Sequence, residues 1–341
     1  MSLYRIEFTN DSEFAYASGR VKTLETYMIP KNEFDRMADS TVAQIEKTLS
    51  EYGYAENDPD FIKNNREAAY STVAGLVKSV NKYKDFYKIY FLKNDIENMK
   101  VVLKTKLLEE KGFTPDYMPA LVSGILNDKK INDIIEEKSY RYISRDTGDL
   151  KLLTNYFELI NEKKSPVWID FYLDSIYLDL LIKYVNKMNL KFLQYYFSHY
   201  IDFMNIENLL RFKILDKNIN MYKEIFVSGG SLKWLDLKDL FDEKIEKIAD
   251  RLYHKEYYEY ISRGLEDFSN TNNFNKFELE KDNYLISVMK KAKLRAFGIE
   301  PVIGYLEGKE IEYKNIRILL EGKNAKISDS KIKEMLRDTY V

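Results

Sequence analysis

Apolar residues recur along most of the chain at three- and four-residue intervals, the signature of helices with one buried face. From Ile169 they fall at Ile169, Tyr172, Leu173, Ile176, Tyr177, Leu180, Leu181, Tyr184 and Val185, with Asp170, Asp174 and Lys183 between them. Similar stripes run through residues 42–49, 70–80, 96–108, 156–160, 284–294 and 311–320. Gly, Pro, Ser and Asn interrupt the pattern near 53–59, 112–119, 147–148, 165–166, 228–231, 269–275 and 298–304. No alternating stretch is long enough to define a sheet. The pattern predicts an all-α fold.

A chain of 341 residues with 45% hydrophobic residues can bury a full core and has room for two or three structural units. Lys and Arg number 53 against 55 Asp and Glu, a net charge of −2 that argues against a nucleic-acid partner. Gly (13) and Pro (6) are scarce, which disfavours turn-rich β folds and glycine-lined phosphate sites. With no Cys and only two His, disulfides, thiol catalysis, iron–sulfur clusters and ordinary zinc sites drop out together. The opening Met1-Ser2-Leu3-Tyr4-Arg5-Ile6-Glu7 has neither the apolar core nor the cleavage site of a signal peptide. No apolar run approaches the ~18 residues of a membrane span. The expectation is a cytoplasmic chain with no transmembrane segment.

Three segments read alike: Tyr90 to Glu97, Tyr200 to Glu207 and Tyr305 to Glu312, each a Tyr, four variable residues, an Asp, Asn or Glu, then Ile-Glu. Their starts are 110 and 105 residues apart. The first two continue as Asn98-Met99 and Asn208-Leu209, whereas the third delays its Asn315-Ile316. Asp95 and Asn205 are good N-caps, and Glu97 and Glu207 would then lie in a first helical turn, where the helix dipole favours them. An amphipathic helix precedes each copy. The reading is a threefold repeat of helical modules over 1–112, 113–217 and 218–341, with Asp95, Glu97, Asn98, Asn205, Glu207, Asn208, Glu312 and Asn315 as architectural residues.

Candidate chemistry is sparse. No phosphate-binding loop occurs, and Gly229-Gly230 reads as a connector. Asp170 and Asp174 lie at i, i+4, and Asp133, Glu136 and Glu137 at i, i+3, i+4, spacings that can hold a divalent metal. Flanking lysines make the second set a solvated helix face, so no metal or other cofactor is expected. His199 and His254 lack a partner at ligand spacing and read as structural or surface residues. Lys93, Lys100, Lys104 and Lys111 share a face that Glu109 and Glu110 dilute, which reads as solvated. The aromatic clusters read mostly as core, with some as protein interface.

Residues 297–318, Phe297-Gly298-Ile299-Glu300-Pro301 through Tyr305, Lys309-Glu310-Ile311-Glu312 and Asn315-Ile316-Arg317, resemble the end of the C subunit of prokaryotic A/V-type ATPases, which is related to the d subunit of eukaryotic V-ATPases. Tyr16 to Glu25 is similar to the family's opening helix, and Asp95 to Lys100 and Asn205 to Arg211 match its internal Asn-containing helices. The ordered set spans nearly the whole chain. Leu210, inserted before Arg211, departs from the pattern.

The resemblance implies three similar helical modules in a pseudo-threefold, funnel-like arrangement. It also implies a non-catalytic rotor subunit that links central-shaft subunits to the proteolipid ring on the cytoplasmic face of the membrane, in proton or sodium transport. Lys100 and Arg317, which follow the repeat asparagines, would then face the funnel interior. The readings from other classes are a helical-repeat, protein-binding scaffold unrelated to an ATPase and a Mg²⁺-dependent helical enzyme using Asp170 and Asp174.

Overall fold

The computed structural model describes residues 7–54, 60–113, 165–215 and 218–341, with isolated positions between 124 and 163. Every regular element among them is helical, as the periodicity predicts. Three short helices open the chain: α1 (Ala15–Glu25), α2 (Lys31–Ala38) and α3 (Val42–Glu51). Two long antiparallel pairs follow, α4 (Phe61–Ser79) with α5 (Lys84–Glu110) and α6 (Pro166–Lys187) with α7 (Lys191–Ile214). Four shorter helices come next: α8 (Ile219–Ile225), α9 (Trp234–Asp242), α10 (Ile245–Arg251) and α11 (Tyr258–Thr271). The chain closes with the long pair α12 (Asn275–Lys293) and α13 (Glu300–Asn324), then α14 (Asp329–Met335).

Local chemistry sets several boundaries. Thr41 and Gln44 form a reciprocal capping box at the start of α3, with the Thr41 N–H donating to Gln44 Oε1 at 2.9 Å. Pro166 occupies the first turn of α6, where its missing N–H costs nothing. Gly298 adopts φ +118° in the α12–α13 connector, and a Cβ there would sit 2.4 Å from the Thr9 carbonyl oxygen, so only glycine fits.

The six long helices close on themselves: α4 packs on α5, α5 on α6, α6 on α7, α7 on α12, α12 on α13, and α13 back on α4. The main core lies between them and extends under α8 to α11. A second core joins the two ends of the chain, with Ile29, Phe34, Met37, Ile45 and Leu49 packed against Tyr313, Ile316, Leu319, Ile332 and Leu336. Residues 29–54 therefore share their core with α13 and α14.

The N-cap reading of the repeat motif is overturned. Asp95, Glu97 and Asn98 lie inside α5, Asn205, Glu207 and Asn208 inside α7, and Glu312 and Asn315 inside α13. Each helix starts well before its motif, and the buried polar side chains act sideways, across to other segments. Asn205 brackets Val227, its Nδ2 donating to the Val227 carbonyl at 2.9 Å while the Val227 N–H donates to Oδ1 at 3.1 Å. Asn315 brackets Arg337 in the same way, at 3.0 and 2.8 Å, and in both cases the partner lies 22 residues ahead. Asp95 Oδ1 accepts the Leu126 N–H at 3.0 Å. This match pairs Asn315, not Glu310, with Asn205. The third copy then starts five residues later than the sequence motif placed it, and the spacing of Asp95, Asn205 and Asn315 becomes 110 in both intervals.

A second recurrence lies one turn earlier. Asp202 accepts the Leu232 N–H at 2.9 Å, just before α9, and the Tyr257 hydroxyl at 2.9 Å, just after α10. Glu312, 110 positions on, accepts the Ile29 N–H at 2.8 Å before α2 and the Tyr54 hydroxyl at 2.6 Å after α3. Lys309 joins that buried network through Glu312 and through the Tyr54 hydroxyl at 3.1 Å.

Asn315→Ala leaves the partly buried N–H and carbonyl of Arg337 without their side-chain partner. It should lower stability by about 2–4 kcal/mol, read as a reduced urea midpoint at unchanged slope. A midpoint equal to that of the parent would show that the bracket contributes nothing.

Candidate functional site

Within the ring, α5, α6, α7 and α12 face a cavity of about 330 Å³. Helical spacing supplies its lining: Lys93, Glu97 and Lys100 project from one face of α5, Asp170, Asp174 and Tyr177 from α6, Tyr200, Glu207 and Arg211 from α7, and Lys281 from α12. Four cationic and four anionic side chains thus share one enclosure.

Most of these charges pair across helices. Lys100 Nζ lies 2.8 Å from Glu97 and 2.6 Å from Asp174, and outside the lining itself Lys104 reaches Asp170 at 2.6 Å. Glu207 takes both Arg211, at 2.6 Å, and Lys281, at 2.8 Å. Burial works against the Lys100 ammonium, but Asp174 and Glu97 hold it above the ordinary lysine range. Burial likewise works against the Glu207 carboxylate, and Lys281 and Arg211 outweigh it, leaving that group below its usual range. Asp174 is pushed up by burial and only partly relieved by Lys100. Its side chain keeps 41% exposure while lining the cavity, so cavity water tempers the pair.

At one edge of the cavity α5, α7 and α13 meet. The Tyr90 and Tyr196 hydroxyls donate to Glu307 at 2.5 and 3.1 Å, and Arg66 grips Glu310 through two bonds at 2.6 and 3.0 Å. Lys93 reaches toward this group without a carboxylate at ion-pair distance among the described residues. Burial opposes its charge, but Tyr200, Glu307, Tyr70 and Glu310 together keep its ammonium well above the usual range.

Of the residues the sequence singled out, Glu97, Lys100, Glu207 and Asn208 line the cavity. Asn205 and Asn315 make the brackets, Asp95 accepts the Leu126 N–H, Asn98 is buried, and Glu312 belongs to the Lys309–Tyr54 network. Arg317 lies outside the cavity lining, 66% exposed and 3.9 Å from Glu321. The solvated reading of the α5 lysines fails for Lys100 and Lys104, which are paired to α6. Asp170 and Asp174, the candidate metal pair, each hold a lysine, and no metal-binding group of three or more His, Cys, Asp or Glu side chains occurs among the described residues. Glu136 and Glu137 lie outside the described residues. His254 is exposed.

His199 is buried with its Nδ1 2.7 Å from the Tyr284 hydroxyl and the Tyr195 and Tyr257 rings against it. Burial drives its pKa down to about 4, which keeps it neutral. Sequence reasoning missed Lys281 and the cross-helix pairs altogether. The i, i+4 spacing of Glu207 and Arg211 was the one visible signal.

An all-helical protein whose six long helices pack in a closed series, four of them facing an ion-paired cavity, is the class that the fold and site define. A model of the ATP synthase (C/AC39) subunit family matches residues 17–335, and the chain belongs to that family. It is similar to the C subunit of the A-type ATP synthase of Methanocaldococcus jannaschii, 25% identical over 95% of this chain and 86% of that protein. The C subunit of the Methanosarcina acetivorans A-type ATP synthase is also 25% identical, over 95% of this chain and 93% of its own. The C subunit of the V-type sodium ATPase of Enterococcus hirae is 23% identical over 94% of this chain and 97% of that protein. Membership of this family removes the unrelated-scaffold reading. No helix of the described residues is long and apolar enough to cross a membrane.

Two outcomes test the site. Lys100→Met leaves Asp174 and Glu97 uncompensated and should cost about 1–3 kcal/mol, below the fully buried case because the cavity is wet. Adding Asp174→Leu should recover part of that loss in a double-mutant cycle, whereas strictly additive losses would mean the pair is uncoupled. For His199, a folded pKa depressed below the unfolded value of about 6.5 gives stability that is complete above that value. It is lost as the pH falls toward about 4. His199→Gln should flatten that acid limb by on the order of 3 kcal/mol between pH 6.5 and 4, measured by urea melts across the range.

Proposed function

We propose that this chain is a non-catalytic central-stalk rotor subunit of a V/A-type rotary ATPase, coupling the central shaft to the membrane proteolipid ring for proton or sodium transport. The observation that carries the reading is the closed series of long helices, four of which face an ion-paired cavity, in a chain of this family. A torque coupler needs a stiff body and a seat for its partner. A ring in which every long helix packs on two others resists bending, and cross-helix ion pairs fix the cavity wall.

In this reading three helical modules, 1–112, 113–217 and 218–341, form a funnel. The recurrent brackets at Asn205 and Asn315 and the carboxylates at Asp202 and Glu312 support it. Residues 29–54, in the first module by sequence, pack on the last, since their core and hydrogen bonds go to α13. Shaft subunits seat in the cavity end of the ring, with Lys100 in the wall and Arg317 outside it. The proteolipid ring lies against the opposite end, on the cytoplasmic face of the membrane, and no cofactor or nucleic acid takes part.

Affinity capture of the tagged chain from detergent-solubilised membranes should recover shaft and ring subunits together. A chain that stays wholly in the soluble fraction and recovers neither would sink the rotor reading.

A further inference from the structure

Two clusters of cations at opposite ends of the ring differ in their partners. Around the cavity Lys100, Lys104, Arg211 and Lys281 are matched by carboxylates. At the opposite end of the ring, where the α6–α7 and α12–α13 connectors lie, Lys187, Lys191, Lys290, Lys291, Lys293 and Arg295 gather, and none forms an ion pair among the described residues. Aromatic contacts tie them into one patch. Arg295 lies 4.9 Å over the Phe8 ring, which stacks at 4.7 Å on Phe192, the neighbour of Lys191. Lys291 lies 5.8 Å over Tyr195, one turn further along α7. Glu256, on the flank, is engaged by the Tyr195 hydroxyl.

Helix dipoles explain only part of this. Lys187, Lys290, Lys291 and Lys293 sit in last turns, where a cation is favoured. Lys191 is the first residue of α7, where the dipole opposes it, and Arg295 lies in a connector outside any helix. Between them protrude Leu294, 87% exposed, and Phe297, 41% exposed. A chain with a net charge of −2 has concentrated like charges at one end around projecting apolar side chains. An external anion would relieve their mutual repulsion.

We propose that this connector end is a docking surface for an anionic lipid headgroup layer, the lysines and Arg295 meeting phosphates while Leu294 and Phe297 enter the headgroup boundary. Protruding apolar residues inside a cationic patch suit a soft, charged and partly apolar surface. The proposal rests on the rotor reading, which sets both the proteolipid ring and its surrounding membrane at this end, and it assigns these side chains to the lipid headgroups.

The test floats the full chain with vesicles of phosphatidylcholine alone or of phosphatidylcholine mixed with phosphatidylglycerol. Flotation is expected with the anionic vesicles only, and added salt should release the chain. The triple variant Lys290→Glu, Lys291→Glu, Lys293→Glu should lose on the order of a hundred-fold in affinity, while the matching Lys→Arg triple binds like the parent. Leu294→Asp should weaken binding by about ten-fold. Lys290, Lys291 and Leu294 are exposed and Lys293 is partly so, and unchanged thermal melts establish that each variant is folded. No flotation with either vesicle, equal flotation with both, or an unaffected charge-reversal variant would overturn the proposal. Salt-sensitive capture of soluble polyglutamate without vesicle binding would assign the patch to an acidic protein instead. The charge-reversal variant should still capture shaft subunits, so a failed vesicle assay and a failed rotor reading are told apart.

Discussion

A polar side chain buried between packed helices has no water to satisfy it and must find a partner in the protein. The inner helices α7 and α13 carry a carboxylate and an amide one turn apart, Asp202 with Asn205 and Glu312 with Asn315, all of them buried. Each carboxylate accepts the backbone N–H that precedes a short helix, and each amide brackets a residue 22 positions ahead. These contacts place the layers of short helices on the long ones and tie the first fifty residues to the last fifty. Replacing any of the four by an apolar group would leave backbone groups stranded, so the arrangement is locked by desolvation as much as by attraction.

The same demand shapes the cavity. Eight charged side chains share a small enclosure, and most of them are stable there because oppositely charged neighbours come from the next helix. Such a wall holds its shape. The cations at the other end form no ion pairs among the described residues. A near-zero net charge conceals that asymmetry, because the excess at one end is offset by carboxylates elsewhere on the chain.

Much of the fold was legible. The stripe from Ile169 to Val185 lies within α6, thirteen of whose residues are buried, because the apolar face dictates the period. The repeat was visible as well, but its role was misread. Asp95 and Asn205 have the chemistry of N-caps, and a capping preference is a statement about local backbone. It carries no information that the helix had already begun at Lys84 or Lys191 and that the side chain points to another segment. The third copy slipped by five residues because Tyr305 and Glu310-Ile311-Glu312 mimic the motif in letters, whereas Asn315 matches it in geometry.

The sequence by itself determined the helices, the absence of cysteine chemistry and an approximate 110-residue recurrence, all consequences of local periodicity and composition. Tertiary structure decided which charges and buried polar groups met. Lys100 with Asp174, Lys281 with Glu207 and Glu312 with the Ile29 N–H are separated by 74, 74 and 283 residues. The strength of such contacts depends on burial and distance in the closed ring, and neither quantity exists until the helices have packed.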